Sequence, residues 1–185
     1  LEVLVSTLPR PDLIQKLSLL LLKCRKENNL AYARRLYDYT CRHQLDSDAS
    51  LGNFLVPLLA HVGLISDAHQ VFNKLVRPND CTWNFLIIAY AKCGNLEKML
   101  RVFHEMETKN AVSWGAVIAG YVQHNYCEVA LELYTKMVQG GLKPDLLTFS
   151  CLVKACGIMG ILQEGRLLHG HIVRRGYGDD LITGN

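Results

Sequence analysis

The sequence is short of the features that mark most functional classes. No two cysteines are spaced as CxxC and no Cys/His set has zinc-ligand spacing, although seven cysteines are present. An odd number without a pairing framework reads as reduced core thiols, suited to an intracellular compartment. No apolar run approaches the ~20 residues that cross a bilayer, so no membrane partner is expected. Prolines number only five, and most stand where helices could start or end. No alternating apolar pattern argues for a strand. The net charge of +3 and pI near 8.5 permit a polyanionic partner without requiring one. With half of its residues hydrophobic, the chain is not a disordered one. It opens on Leu1 and stops mid-pattern at Asn185, which reads as a fragment, and no targeting peptide is visible.

What is present is repetition. Val71-Phe72, Val102-Phe103 and Leu133-Tyr134 recur every 31 residues, and steps of 35 outward reach Leu36-Tyr37 and Leu168-His169. Leu17-Ser18, Gly52-Asn53, Trp83-Asn84, Trp114-Gly115 and Phe149-Ser150 follow the same order of 35, 31, 31 and 35, as do Leu30, Ile65, Leu96, Cys127 and Leu162. The repeats are then 14–48, 49–79, 80–110, 111–145 and 146–180, with a sixth starting at 181–185 and residues 1–13 forming an extended lead-in or the end of an earlier repeat. Each reads as two helices. Trp83, Leu86, Ile87 and Tyr90 share a helical face, Gly94-Asn95 breaks it, and Leu96, Met99, Leu100 and Phe103 form another. One such hairpin cannot bury its apolar face alone. The expected fold is therefore all-α, a right-handed α-solenoid of stacked two-helix hairpins.

Particular stretches resemble the pentatricopeptide-repeat family in its plant PLS-type form, with mixed repeat lengths. Ala89-Tyr90-Ala91-Lys92-Cys93-Gly94-Asn95-Leu96-Glu97 and Val102-Phe103-His104-Glu105-Met106 are similar to its short repeats. Ile118-Ala119-Gly120-Tyr121 and Gly141-Leu142-Lys143-Pro144-Asp145 are similar to its standard repeat. Ala155-Cys156, Leu162, Glu164-Gly165-Arg166 and Leu168-His169 are similar to its long repeat. Cys127 stands where a Leu-like residue is usual, and the first repeat matches loosely. The resulting order resembles the arrays of organellar RNA-editing factors.

The resemblance implies a site. Bases of single-stranded RNA would be read one per repeat. The reading pair would be the fifth and last residues: Ser18 with Asp48, Asn53 with Asn79, Asn84 with Asn110, Gly115 with Asp145, and Ser150 with Asp180. Asn185 would be the fifth residue of the sixth repeat. An Asn amide both donates and accepts, so Asn with Asn suits a pyrimidine edge, C or U, in the second and third repeats. Ser with Asp leans to purine, and Gly115 should discriminate poorly. Of the second residues, which would flank bases, Cys81, Val112 and Leu147 are the candidates. Lys26 and Lys92, near the ends of first helices, could each neutralise a phosphate. Each residue also has a plainer reading, since Asn and Asp near helix starts are ordinary caps and a lysine at a helix end suits the dipole.

No catalytic set is found. His169-Gly170-His171 places its histidines off one helical face. His104-Glu105 lacks the cysteine pair of zinc deaminases. Gly165–Gly170 lacks the Lys-Ser/Thr of a phosphate loop. Trp83 and Trp114 fall on core faces. The chain is thus expected to be no enzyme, to need no cofactor or metal, and to bind single-stranded RNA in a mitochondrion or chloroplast. The foremost role is target recognition for C-to-U editing, with editing cofactor proteins or a deaminase as possible partners. RNA stabilisation or splicing, and a protein scaffold like the tetratricopeptide solenoids, are the alternatives.

Overall fold

A computed structural model describes residues 8–174. The helices run in order: α1 (Arg10–Glu27), α2 (Leu30–Arg42), α3 (Ala49–His61), α4 (Ile65–Lys74), α5 (Asp80–Lys92), α6 (Leu96–Glu105), α7 (Ala111–Gln123), α8 (Cys127–Gln139), α9 (Leu146–Met159) and α10 (Leu162–Arg174). Every described element is a helix, as the periodicity requires. The chain divides between Ala89 and Tyr90 into two compact parts. In the first, α3 pairs with α4 and lies on α1; in the second, α7 pairs with α8 and α9 pairs with α10, while α9 packs on both α7 and α8.

The backbone repeats the register independently of the side chains. Within each hairpin the turn holds one residue at positive φ: Asn28, Gly63, Gly94, Asn125 and Gly160. These lie 35, 31, 31 and 35 apart. Only Gly enters this region freely, with Asn the best substitute, and only those two types occur here. The difference in repeat length is also explained. The second helices α2 and α8 have 13 residues, whereas α4 and α6 have 10. The longer repeats then add one more left-handed turn residue, Gln44 or Gly141.

The core repeats as well. Trp83 meets Phe72 edge-on at 4.5 Å between centroids, Trp114 meets Phe103 at 5.0 Å, and Phe149 meets Tyr134 at 6.3 Å. Each contact joins the fourth residue of one repeat to the second helix before it, so neighbouring hairpins are stapled by aromatic pairs. Leu21, Cys24, Leu36 and Leu55 are fully buried in the first part, and Met99, Ile118 and Leu152 in the second.

Two expectations are corrected, and one proline is an exception to the general placement at helix ends. The residues ahead of Ile14 are not all extended: α1 begins at Arg10, with Pro11 in the first turn, where a missing N–H costs nothing. Pro57 lies inside α3 and is buried, not at a helix boundary. Its ring removes the N–H that would bond to the Asn53 carbonyl. Nor are all the cysteines in the core. Cys24, Cys127 and Cys156 are buried, but Cys81 and Cys93 are exposed because they sit at helix ends. Burial pushes the Cys24, Cys41, Cys151 and Cys156 thiols above their ordinary range.

One ion pair in the first part is partly buried. Lys74 donates to the Asp46 carboxylate, which also receives the Cys41 thiol at 3.8 Å. The Asp46 side chain is 7% exposed and that of Lys74 49%. The hydrogen bond to Asp46 raises the Lys74 pKa. This contribution to stability is therefore present through neutral pH and fades only as pH climbs past the ordinary lysine range. Lys74→Met strands a buried carboxylate and should cost about 2 kcal/mol, less than a fully buried pair because Lys74 is half open to water. Asp46→Asn leaves a lysine that can turn to solvent and should cost about 1 kcal/mol. Urea unfolding at neutral pH measures both, and the opposite ranking would contradict the assignment.

Candidate nucleic-acid interface

From the second repeat onward the start of each described first helix is built the same way, whereas α1 follows Pro9 and has no side-chain cap. Asp48 accepts from Ser50 N and Leu51 N at 3.0 and 3.2 Å. Asn79 accepts from Thr82 N at 2.8 Å, Asn110 from Ser113 N at 2.9 Å, and Asp145 from Thr148 N at 2.8 Å. These four residues are 31, 31 and 35 apart. All are N-caps, so the plainer reading of the last residues is correct as far as it goes. The residues they hold were missed from the sequence. Thr82, Ser113 and Thr148 are buried hydroxyls three places after Asn79, Asn110 and Asp145, and that spacing was a legible capping signal.

In the second repeat the structure brings the expected pair together. Asn53 Oδ1 accepts from Asn79 N at 3.1 Å and lies 2.7 Å from the Thr82 hydroxyl. That hydroxyl is also 2.8 Å from Asn79 Oδ1, so its single proton is shared. Asn53 Nδ2 gives one proton to Ala49 O at 2.8 Å. Both side-chain oxygens are thus engaged, whereas Asn79 Nδ2 makes no hydrogen bond among the described residues. The amide orientations follow from the backbone N–H groups that each oxygen receives. Outward, the pair presents donors.

The fourth repeat has the same geometry without the fifth side chain. A Cβ placed on Gly115 would stand 2.6 Å from Thr148 Oγ1 and 3.9 Å from Asp145 Oδ1. Gly115 therefore lies against Asp145, as paired, with Thr148 filling the space an Asn would need. Asp145 Oδ1 also receives the Thr148 hydroxyl at 2.6 Å.

Other members are less well placed. Ser18 and Ser150 donate to their own helices, at Ile14 O and Leu146 O. No hydrogen bond joins Ser18 to Asp48. Asn84 is 9% exposed, and its Oδ1 is buried without a partner. Asn110 forms a reciprocal capping box with Ser113. Asp180 and Asn185 lie outside the described residues. Val112 and Leu147 are 51% and 67% exposed one residue into their helices, and Cys81 is exposed at the same place. Lys26 and Lys92 are exposed in the last turns of their helices, and neither makes an ion pair among the described residues.

A cleft of about 620 Å³ lies elsewhere, lined by Cys93, Gly94, Glu97, His124 and Tyr126 at the far ends of α5 and α7. His124 Nε2 is bound there to Ala91 O at 2.9 Å. The cleft shares no residue with the caps of the first helices. Among the described residues no His, Cys, Asp or Glu cluster could hold a metal ion, and no helix is long and apolar enough to cross a membrane.

Two family models match the chain, one described as PPR repeat over residues 81–110 and one as PPR repeat family over residues 109–157. The chain carries repeats of the pentatricopeptide (PPR) family. A pentatricopeptide repeat-containing protein of Arabidopsis thaliana is 33% identical over 169 residues, 91% of this chain and 16% of that protein. A mitochondrial one is 26% identical over 154 residues, 78% of this chain and 19% of that protein, and a chloroplastic one is 41% identical over 58 residues, 31% and 11%. The chain thus spans 11% to 19% of the length of these relatives. Among solved structures, maize PPR10 matches with a TM-score of 0.72 at 22% identity, over 91% of this chain and 25% of that one. The PPR domain of Arabidopsis thaliana protein-only RNase P 1, solved with tRNA, matches at 0.71 and 18%, over 96% and 93%. Likeness at these identities establishes the fold, the all-α solenoid class read from the PPR periodicity.

Proposed function

We propose that this chain holds single-stranded RNA and reads bases at the starts of its first helices. PPR10 was solved with an 18-nt RNA element and the PPR domain of RNase P 1 with tRNA, which supports a nucleic-acid partner for this PPR array too. The observation that carries the reading is the cap network of the second repeat. Its bonds use the oxygens of Asn53 and Asn79 and leave N–H groups. Cytosine offers two acceptors, O2 and N3, on its pairing edge; uracil offers O2 and O4 around a donor N3–H. A donor-only pair therefore favours cytosine within the pyrimidine preference expected for Asn with Asn. Asp48 and Asp145 instead retain a carboxylate oxygen, which suits a base N–H such as that of uracil or guanine. Val112 and Leu147 add exposed apolar surface beside which a base can pack, and Lys26 and Lys92 add charge for phosphates.

In this reading the array is a recognition module of an organelle, consistent with relatives named chloroplastic and mitochondrial. Its role is to place an editing activity, supplied by another domain or a partner protein, beside a target cytidine. The test is direct. The chain should retard a labelled unpaired pyrimidine-rich RNA of about 12 nucleotides, and a duplex of the same sequence should fail to compete. Equal competition by the duplex would leave only non-specific charge attraction.

A further inference from the structure

We infer that Arg25 is a backbone phosphate anchor lying outside the repeat register, a reading that rests on the RNA binding proposed above. Arg25 comes from the first helix of the first hairpin. Its guanidinium lies over the ring of Phe85, from the first helix of the third hairpin, with Cζ 5.1 Å from the ring centroid. The contact thus links two hairpins that are not consecutive in the chain. Both residues are half-buried. A cation seated on an aromatic face is held by the ring without using its N–H groups. Arg25 makes no hydrogen bond or ion pair from its side chain among the described residues. The nearest acid in sequence, Glu27, pairs with Lys23 at 3.8 Å. A preorganised guanidinium with unused donors is what a phosphate oxygen requires.

The surroundings fit an unpaired strand. Leu22, three and four residues before Arg25 and Lys26 on the same helix, is 39% exposed, and Leu19, seven before Lys26, is 62% exposed. Apolar surface beside two cations suits a base and the phosphate next to it. The feature is not part of the repeat. The residues equivalent to Arg25 are Ala60, Ala91, Val122 and Gly157, and those equivalent to Phe85 are Leu19, Phe54, Ala116 and Cys151.

The test uses the full chain, an unpaired 12-nucleotide pyrimidine RNA, and fluorescence anisotropy at several salt concentrations. Arg25→Ala should weaken binding about tenfold at low salt. It should also lower the slope of log affinity against log salt by about 0.7, one phosphate contact on a single strand. The loss should not depend on base identity. Arg25→Lys should keep the slope, and Phe85→Leu should weaken affinity with the slope intact. Unchanged affinity for Arg25→Ala would overturn the assignment, as would a loss that appears only as a lowered melting temperature. A base-dependent loss with an unchanged slope would also overturn it, in favour of stacking. If the unsubstituted chain binds no RNA, the functional reading itself fails.

Discussion

Replacing Phe149 by alanine should cost about 4 kcal/mol and loosen the last two described helices first. Phe149 is fully buried and sits in a cluster with Ile118, Ala130, Met137, Leu152 and Cys156, flanked by Tyr134. With Leu152, Ala155 and Cys156 it forms the face of α9 that lies in this cluster. Deleting the ring removes its transfer energy and leaves a cavity that rigid helices fill poorly. In a stack of repeats most of a hairpin's packing is with its neighbours, so the loss should be local. Amide exchange should accelerate through Leu146–Arg174 while α3 and α4 retain their protection. Trp114→Ala, at the equivalent but half-exposed place, should cost less. Uniform acceleration over both compact parts would mean that the chain unfolds as one unit.

The second large effect concerns specificity. Asn79→Asp should keep the cap, because a carboxylate oxygen can still accept from Thr82 N. It replaces the outward amide donor with an acceptor. The preferred base opposite the second repeat should then move from cytosine towards uracil, whose N3–H meets an acceptor. A change of about tenfold in the ratio of the two affinities corresponds to one good hydrogen bond gained and one lost. Positions read by the other repeats should not change. Competition binding with oligonucleotides differing at a single base measures this. An equal loss for all bases would indicate damage to the fold instead.

Much of the architecture is legible in the residues because the repeat imposes it. Gly94-Asn95 marks the turn of the third hairpin, and the structure places a left-handed residue and an N-cap there. The cap role of Asp48 and Asp145 follows from residue type alone. What stays hidden depends on atoms from different repeats. Pro57 looks like a helix end in a one-dimensional reading, yet packing of α3 on α1 and α4 overrides the lost hydrogen bond. Cys81 and Cys93 match the buried thiols in type and differ only in place. That Thr148 occupies the space above Gly115, or that Arg25 reaches Phe85, follows from distances between helices and not from spacing along the chain. The fifth residues illustrate the limit. Register places Asn53 and Asn84 at the same position, but one is knitted into its neighbour's cap and the other has a buried, unpartnered oxygen.

Base reading in the second repeat depends on the side-chain amides of Asn53 and Asn79 meeting the same base, and side-chain NMR observes this most directly. With a cytosine-containing single-stranded RNA titrated into labelled protein, the NH2 resonances of Asn53 and Asn79 should shift together. Those of Asn73, exposed on the second helix of the same hairpin, should stay still. Replacing the one facing cytosine by a purine should abolish the shifts while the phosphate-driven part of binding remains. RNA that binds and leaves both amides unmoved would contradict the account.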